Sequence, residues 1–546
     1  MSNINLRRLN FLANGSVNID GTAGTGLSIT ANVVTTNSVT TTSTSALLST
    51  TGFYDSGNTS FYFDPAGSSV LNYPKVSSVG MSLTKMASDS GLSFIAIKSG
   101  NRFFNCSAVG ATWGAVGTGR SSSSTPPTKS VDHLTHVCIP QEAGEPIDFG
   151  MYYAFSFALF ANGNLYTWGY NPHGQCGLGN TTTTGTPTLA ATNVVAVYQH
   201  PTMNGYSASS KMIIKKTDNM LYAAGYNGNG QLGVGDTTNR SSFTQIPNSY
   251  NAISVWNLSG DAGALVIQRA DYTILACGYN GYGQLGNGNT TSQNYLVDVT
   301  SAWGGGTGKT LVKVICGLGY VDSAAANGSY IGMLIDDGIT TTFRIAGYNN
   351  WGSIGNGAVA ATSYSTPQTP LLPSTTNRIT DVAGFGGGPG TIMVLYANGD
   401  LWNWGYGDFG QLGRGTAASN GTPLLVTTGV QKIFCDGHDG ASYPYRRTCF
   451  YRKNNLLYGT GYNEHGELGV GNVTTPYTSW TLVPLPANFV CDSIGTYATT
   501  SAGFGYIFFG TDGRMFMTGY NAHNMLTWDN TNNSLSPIEI RPPLGG

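Results

Sequence analysis

The sequence predicts an all-β protein: a β-propeller of seven or eight four-stranded blades, preceded by a small β-rich N-terminal segment that anchors it or forms a shaft. Three observations carry this expectation. A glycine-punctuated phrase recurs along the chain, and each interval between copies holds four short strand-like runs. The composition is also that of a turn-dense sheet protein. Charged residues are 10% of 546, against roughly 25% in ordinary globular chains, while glycine occurs 76 times and aromatic residues reach 11%.

The phrase is clearest as GYNGNGQLGVGDTT from Gly225, GYNGYGQLGNGNTT from Gly278 and GYNEHGELGVGNVTT from Gly461. Its Gly-Tyr pair opens at Gly169, Gly225, Gly278, Gly347, Gly405, Gly461 and Gly519, at intervals of 53 to 69 residues. WGAVGTG at Trp113–Gly119 matches the later half of the Gly461 copy, HGELGVG, and has lost its Gly-Tyr half. The Gly519 copy keeps TGYNAHN and reads MLTWDN where the others have QLGxGN. Repeats with periods of this size mark stacked or radial architectures. The copy number leaves seven or eight blades, because a terminal copy can share a blade at ring closure.

Within one period, Ala252–Leu258 alternates apolar and polar residues. Gly263–Gln268 and Thr273–Asn280 are two further short apolar runs, and Tyr295–Thr300 follows the glycine-rich loop. Runs of this length between Gly, Asn and Asp read as strands. Elsewhere the second and third runs are joined by ANGN (Ala161–Asn164), ANGD (Ala397–Asp400) and TDGR (Thr511–Arg514), whose Asn-Gly and Asp-Gly pairs supply the positive φ of a tight hairpin. One four-stranded sheet of this size leaves a face wet. Radial packing buries the faces on neighbours and leaves few edges.

The phrase itself reads as a loop clip. Its first Gly permits a bulge or a close approach at the end of the third strand. The Tyr fills the wedge between blades, with its hydroxyl finding a partner. Asn-x-x-Gly makes a turn, Leu232, Leu285, Leu412 and Leu468 plug the loop into the core, and the later glycines take left-handed backbone. A phosphate cradle fails on context, since no helix follows and no Lys-Ser/Thr pair is present.

LYTWGYNPHGQCGLGN (Leu165–Asn180), LYAAGYNGNGQLGVGD (Leu221–Asp236) and LWNWGYGDFGQLGRG (Leu401–Gly415) resemble the signature of the regulator of chromosome condensation family. The resemblance runs from about residue 76 to 540 and implies a seven-bladed propeller. A Tyr between the Gly and the Asn is a uniform departure from the family pattern. The family's founding activity, nucleotide exchange on a small GTPase, depends on charged surfaces and a loop wedge that this sequence does not reveal. It is not carried over, and function has to be argued from the site.

Two domains are expected: 1–75, for attachment or oligomerisation, and 76–546, the propeller. Thr35–Gly52 is nearly pure Ser and Thr with a few aliphatics and reads as a linker. The thin alternation of Leu27–Thr40 suits an intertwined homotrimeric shaft. FYDSGNTSFYFDPAGSSVLN (Phe53–Asn72) is similar to a segment widespread in tail fibres and appendages of tailed bacteriophages. Tyr54, Asp55, Asn58, Thr59, Tyr62, Asp64, Pro65, Ser69, Leu71 and Asn72 match, and Phe61 departs. The segment reads as a strand pair turned by DSGN and closed by Asp-Pro, which accounts for Asp55 and Asp64 better than a Ca²⁺ site does.

Several functions are excluded. Net charge is −2 with a pI near 6.4 and no basic stripe, so nucleic acid is not an expected partner. No run approaches the ~20 apolar residues of a membrane span, and the N-terminus has no apolar stretch of a secretory signal. The 8 Cys lack a Cys-x-x-Cys pair and read as small buried hydrophobes, with the even count leaving disulfides open. His133 and His136 have a metal-like spacing without a third ligand, so no metal and no cofactor are expected. With 27 acids and no Gly-x-Ser-x-Gly elbow, no enzymatic activity is expected.

The variable turn positions His173, Asn229, Tyr282, Trp351, Phe409, His465 and His523 form a ring on one face if the repeats superpose. Tyr282, Trp351 and Phe409 beside amides and hydroxyls suit a glycan; the alternative is that these rings pack on neighbouring loops. The histidines at these turns read as exposed. The resemblances together imply a bacteriophage virion structural protein, a tail fibre or appendage made in the host cytoplasm. Its N-terminal segment would meet other virion proteins, and its propeller would present a host-receptor (glycan or protein) or protein-docking surface. The alternatives are a non-viral bacterial propeller scaffold for a protein partner and a glycan depolymerase.

Overall fold

The computed structural model describes residues 146–540 apart from 153–154, 199–209, 259–262, 318–328, 374–376, 385–389, 438–446, 499–503 and 521–531. Before residue 146 it describes the backbone of eight strands. Residues fall into two compact units, Met1–Met81 with Arg541–Gly546 and Ser82–Ile540.

The first unit contains two hairpins, Ile4–Phe11 with Val17–Ala23 and Ala46–Ser49 with Gly52–Asp55. The second corrects one expectation. Tyr54 sits opposite Leu47 and Asp55 opposite Ala46, so this strand pairs upstream, into the Ser/Thr-rich run, rather than with the later half of its own motif. The register sets aliphatic against aromatic positions, a pairing that antiparallel ladders favour. Asn58, Tyr62, Asp64 and Pro65 lie outside the described residues.

The second unit is a ring of eight four-stranded antiparallel sheets, each made of four consecutive strands. In chain order the blades span 83–136, 146–191, 194–245, 252–298, 310–368, 379–427, 430–482 and 491–540. Each blade touches the next near its first strand, and the first strand of blade eight, Cys491–Ala498, touches that of blade one, Leu83–Asp89. The ring therefore closes by packing, without exchanging a strand between its ends. It holds one sheet more than the family resemblance implies; blades two to eight carry described side chains. Thr135 and His136 form the fourth strand of blade one, paired with Asn105 and Phe104.

Why these runs form a ring is visible in blade four. Its second strand, Ala264–Arg269, opens ALVIQ with every residue buried. Successive side chains point to opposite faces of a strand. Leu265 and Ile267 accordingly join Ile213, Leu221 and Ala223 of blade three, while Ala264 and Val266 join Leu311, Val314 and Ile331 of blade five. A strand buried on both faces needs an unbroken apolar run rather than alternation. The same division recurs in blade six, where Ile392 and Val394 face blade five and Met393 and Leu395 face blade seven. The hydrophobic core is thus a series of slabs between blades, and each fully buried Leu or Ile contributes roughly 1.5–3 kcal/mol.

The few charges also work across these boundaries. Lys313 meets Asp381 at 2.5 Å and Lys432 meets Asp492 at 3.0 Å, and Arg378 pairs with Asp336. Lys215 donates to the Ala252 carbonyl at 2.9 Å, and Arg452 to the Cys491 carbonyl at 2.6 Å.

Candidate functional site

In each blade the first strand runs toward the face that carries the loop between the third and fourth strands. That loop is the repeated phrase. Its first Gly ends the third strand with positive φ, +111° at Gly278, in a conformation side chains resist. A Cβ there would lie 2.4 Å from the Gly263 carbonyl oxygen, and the register with the fourth strand shifts between Ala276 and Gly278. Gly169, Gly225, Gly347, Gly405, Gly461 and Gly519 share the positive φ. Bulge and close approach, the two roles expected for this Gly, occur together. The plug residues Leu232, Leu285, Leu412 and Leu468 are buried as expected, and Cys176 and Ile354 take their place in blades two and five.

Sequence reasoning gave the Asn that follows the Tyr a turn alone. It does more than turn the chain. In blade four the buried Asn280 accepts the Leu285 N–H through Oδ1 at 2.9 Å and donates through Nδ2 to the carbonyls of Asn289 at 2.9 Å and Thr291 at 3.1 Å. Asn171, Asn227 and Asn463 make the same three bonds in blades two, three and seven. One amide thus closes the whole loop. The signal was in the sequence as a constant spacing, in blades two, three, four, five and seven, from this Asn to the plug residue five places on. The residue before the plug holds the turn tip: Gln175, Gln231, Gln284 and Gln411 accept the N–H of His173, Asn229, Tyr282 and Phe409 at 2.8–3.1 Å, and Glu467 accepts that of His465 at 2.8 Å.

The tip residues do follow one another around this face, and most of their rings are engaged. His173 meets Tyr226 of the next blade with centroids 5.3 Å apart, Tyr282 meets Tyr348 at 5.0 Å, and Trp351 meets Tyr406 at 6.0 Å. Phe409 meets Tyr462 at 5.9 Å and His465 meets Tyr520 at 4.9 Å. Each of these five tips therefore packs on the motif Tyr of the following blade, and the wedge role expected of that Tyr is played as receiver of a neighbour's ring. His173 and His465 are half-buried, not exposed. Asn229 has no ring to offer and is half-buried; His523 lies outside the described residues.

Beneath this face lies a lysine the sequence did not flag. Lys211 opens the second strand of blade three, is buried, and donates Nζ to the carbonyls of Leu258 at 2.7 Å and Ala264 at 3.0 Å in blade four. Burial lowers its pKa from 10.5 to about 7, against a smaller upward pull from the thiols of Cys277 and Cys316.

The opposite face carries a second ring. Every inner strand from blade two to blade eight starts with a β-bulge, where one residue is skipped in the pairing with the second strand. The skipped residues are Ile147, Val195, Ile253, Val312, Thr380, Gln431 and Asp492, and all are exposed. A bulge re-aims its side chain out of the pleat. In four consecutive blades that side chain is aliphatic: Ile147 is 57% exposed, Val195 48%, Ile253 54% and Val312 43%. The simple alternation of Ala252–Leu258 gave no warning of this, because the extra residue breaks the period of two. Among the described residues no group of three or more His, Cys, Asp or Glu is placed to hold a metal.

Comparison with known proteins decides what the repeat is. A model of the Regulator of chromosome condensation (RCC1) repeat matches residues 162–198 and 398–438, and a second model of that repeat matches 147–175. The chain carries RCC1 repeats. Similar proteins include the Ultraviolet-B receptor UVR8 of Arabidopsis thaliana, 25% identical over 311 residues, which are 56% of this chain and 62% of UVR8. The human E3 ubiquitin-protein ligase HERC2 is 24% identical over 322 residues, 57% of this chain and 6% of HERC2. The match thus spans less than two thirds of either relative. Among solved structures, Prp20p of Saccharomyces cerevisiae aligns at TM-score 0.46 and 14% identity, over 77% of this chain and 92% of that one. The RCC1 repeats identified in this way lie in blades two, three, six and seven.

Proposed function

We propose that the propeller is a docking platform for a protein partner, with a binding rather than a catalytic role. The observation that carries this is the arc of Ile147, Val195, Ile253 and Val312. Four exposed aliphatic side chains occupy equivalent bulges of consecutive inner strands on one rim. Soluble proteins rarely leave such a series uncovered without an interaction to serve. Thr380, Gln431 and Asp492 continue the ring as a polar flank, the core-and-rim arrangement of protein interfaces. The tip ring on the other face is a poorer candidate, since its aromatic rings are spent on neighbouring blades. Affinity capture from the source cell with wild-type protein and with the Val195→Asp, Ile253→Asp double variant tests the reading. A stoichiometric partner held by the wild type and lost by a folded double variant is expected; equal capture by both refutes it.

A second reading concerns where the platform works. The ten matching positions between Tyr54 and Asn72 favour attachment to a virus particle through the N-terminal segment, with the propeller facing a host surface protein or glycan. The repeat matches lie within residues 147–438 and bear on the propeller alone. Mass spectrometry of purified particles tests this reading separately: the protein is expected at structural copy number, and its absence removes the virion role while leaving the docking surface in place.

A further inference from the structure

Two cysteine sulfurs face each other across the first two strands of blade seven. Cys435, in Val430–Gly437, and Cys449, in Arg447–Lys453, are directly opposed in the antiparallel register. Their Sγ atoms lie 3.4 Å apart. A disulfide needs about 2.05 Å between sulfurs and Cα atoms about 4.4–6.8 Å apart. Directly opposed residues of an antiparallel pair already stand at about 4.5–5.5 Å, so side-chain rotation can bring the sulfurs together on a nearly fixed backbone.

The pair differs from the other described thiols. Burial pushes Cys277 and Cys491 up to about 12 and Cys176 higher still, which holds them as unreactive thiols. Cys449 is buried as well, but Cys435 is only partly so, and its Sγ lies 3.8 Å from the Thr391 carbonyl at the boundary with blade six. Cys435 is thus the less buried of the two, and the sulfur that would resolve a mixed disulfide on it lies 3.4 Å away.

We propose that Cys435 and Cys449 are a redox modification site that forms a reversible cross-strand disulfide by exchange with a low-molecular-weight disulfide such as oxidised glutathione. The Cys435 thiolate attacks one glutathione sulfur and expels the other half as a thiolate. The Cys449 thiolate then attacks the Cys435 sulfur of the mixed disulfide and expels the second glutathione. Two protein thiols give up two electrons and two protons, and one small disulfide becomes two thiols. The product staples the inner strand of blade seven to its neighbour.

The test is peptide mapping of the full-length protein after equilibration in glutathione buffers of increasing oxidised fraction. Cleavage after Arg446 and Arg447 separates the two cysteines, so the bond is read as a linked peptide pair under non-reducing conditions. The linked pair is expected to grow with oxidised fraction, to vanish with dithiothreitol, and to be missing in Cys435→Ser. A rise in Tm of about 2 °C or more is expected in oxidised wild type but not in that variant. Recovery of both cysteines as free thiols under oxidising conditions overturns the proposal, and so does a stable glutathione adduct on Cys435 with Cys449 free.

Discussion

Asn280 accepts the backbone N–H of Leu285 at 2.9 Å, and the same bond, from the motif Asn to the residue five places on, recurs at 2.8–2.9 Å in blades two, three, five and seven. The bond couples a local loop to the core, because the residue whose N–H it fixes is the one whose side chain plugs the space between sheets. Asn280→Ala strands that N–H and two carbonyls in a buried site. A loss of about 2–4 kcal/mol is expected, read as a lower urea midpoint. Asn280→Asp keeps the acceptor but sets a carboxylate against the carbonyls of Asn289 and Thr291, and should be the worse of the two.

Blade six breaks the rule with Gly407, and restoring the consensus there should fail. A Cβ on Gly407 would lie 2.1 Å from the Ala418 carbonyl oxygen and 2.7 Å from Leu412 Cδ1. The loop has closed into the space an Asn would need. Arg414 supports it by bonding Asn403, whose own amide reaches the Leu412 carbonyl at 2.8 Å. Gly407→Asn is therefore expected to lower Tm, where a consensus argument predicts a gain. A rise in Tm would show that the loop can reopen.

The reach of the sequence follows from these contacts. The repeat, its four strands and the buried Leu were legible because each depends on residues close in the chain. The clip was half legible: its spacing was visible, but the partners at nine and eleven places on are backbone carbonyls, which any residue supplies. The bulges were not legible. Nothing in Ala252-Ile253-Ser254 distinguishes a paired Ile from a skipped one, and the skip is fixed by how Arg269 and Gln268 pair from the second strand. The tip ring was misjudged for a similar reason: the ring that Trp351 packs on is Tyr406, fifty-odd positions away in the next blade.

Lys211 makes stability depend on pH. Its folded pKa of about 7 lies below its ordinary value of 10.5, so between these values the unfolded chain holds the extra proton. Stability then rises with pH across that window. The destabilising contribution is full below about pH 7 and disappears toward pH 10.5. Lys211→Met removes the titrating group. Subtracting its profile from that of the wild type should leave a positive slope above pH 7, at most about 1.4 kcal/mol per pH unit. Chemical denaturation of both proteins at pH 6, 7.5 and 9 measures it. A flat difference would mean that the ammonium stays charged on its two carbonyls.

Trp351 and Tyr406 give the decisive test of whether the tip ring is scaffold or binding surface. Their rings meet edge to face at 83° with centroids 6.0 Å apart, the geometry that the aromatic quadrupole favours. Tyr406 is buried whereas Trp351 is half-buried, so the tryptophan covers the tyrosine and links blades five and six. A double-mutant cycle with Trp351→Ala and Tyr406→Ala should return a coupling of about 0.5–1.5 kcal/mol in folding stability. A tryptophan held for a sugar would be uncoupled from its neighbour, and its removal would abolish glycan binding at little cost to stability. Coupling near zero, together with quenching of tryptophan emission by a host polysaccharide in the wild type only, would return this face to the role of receptor site.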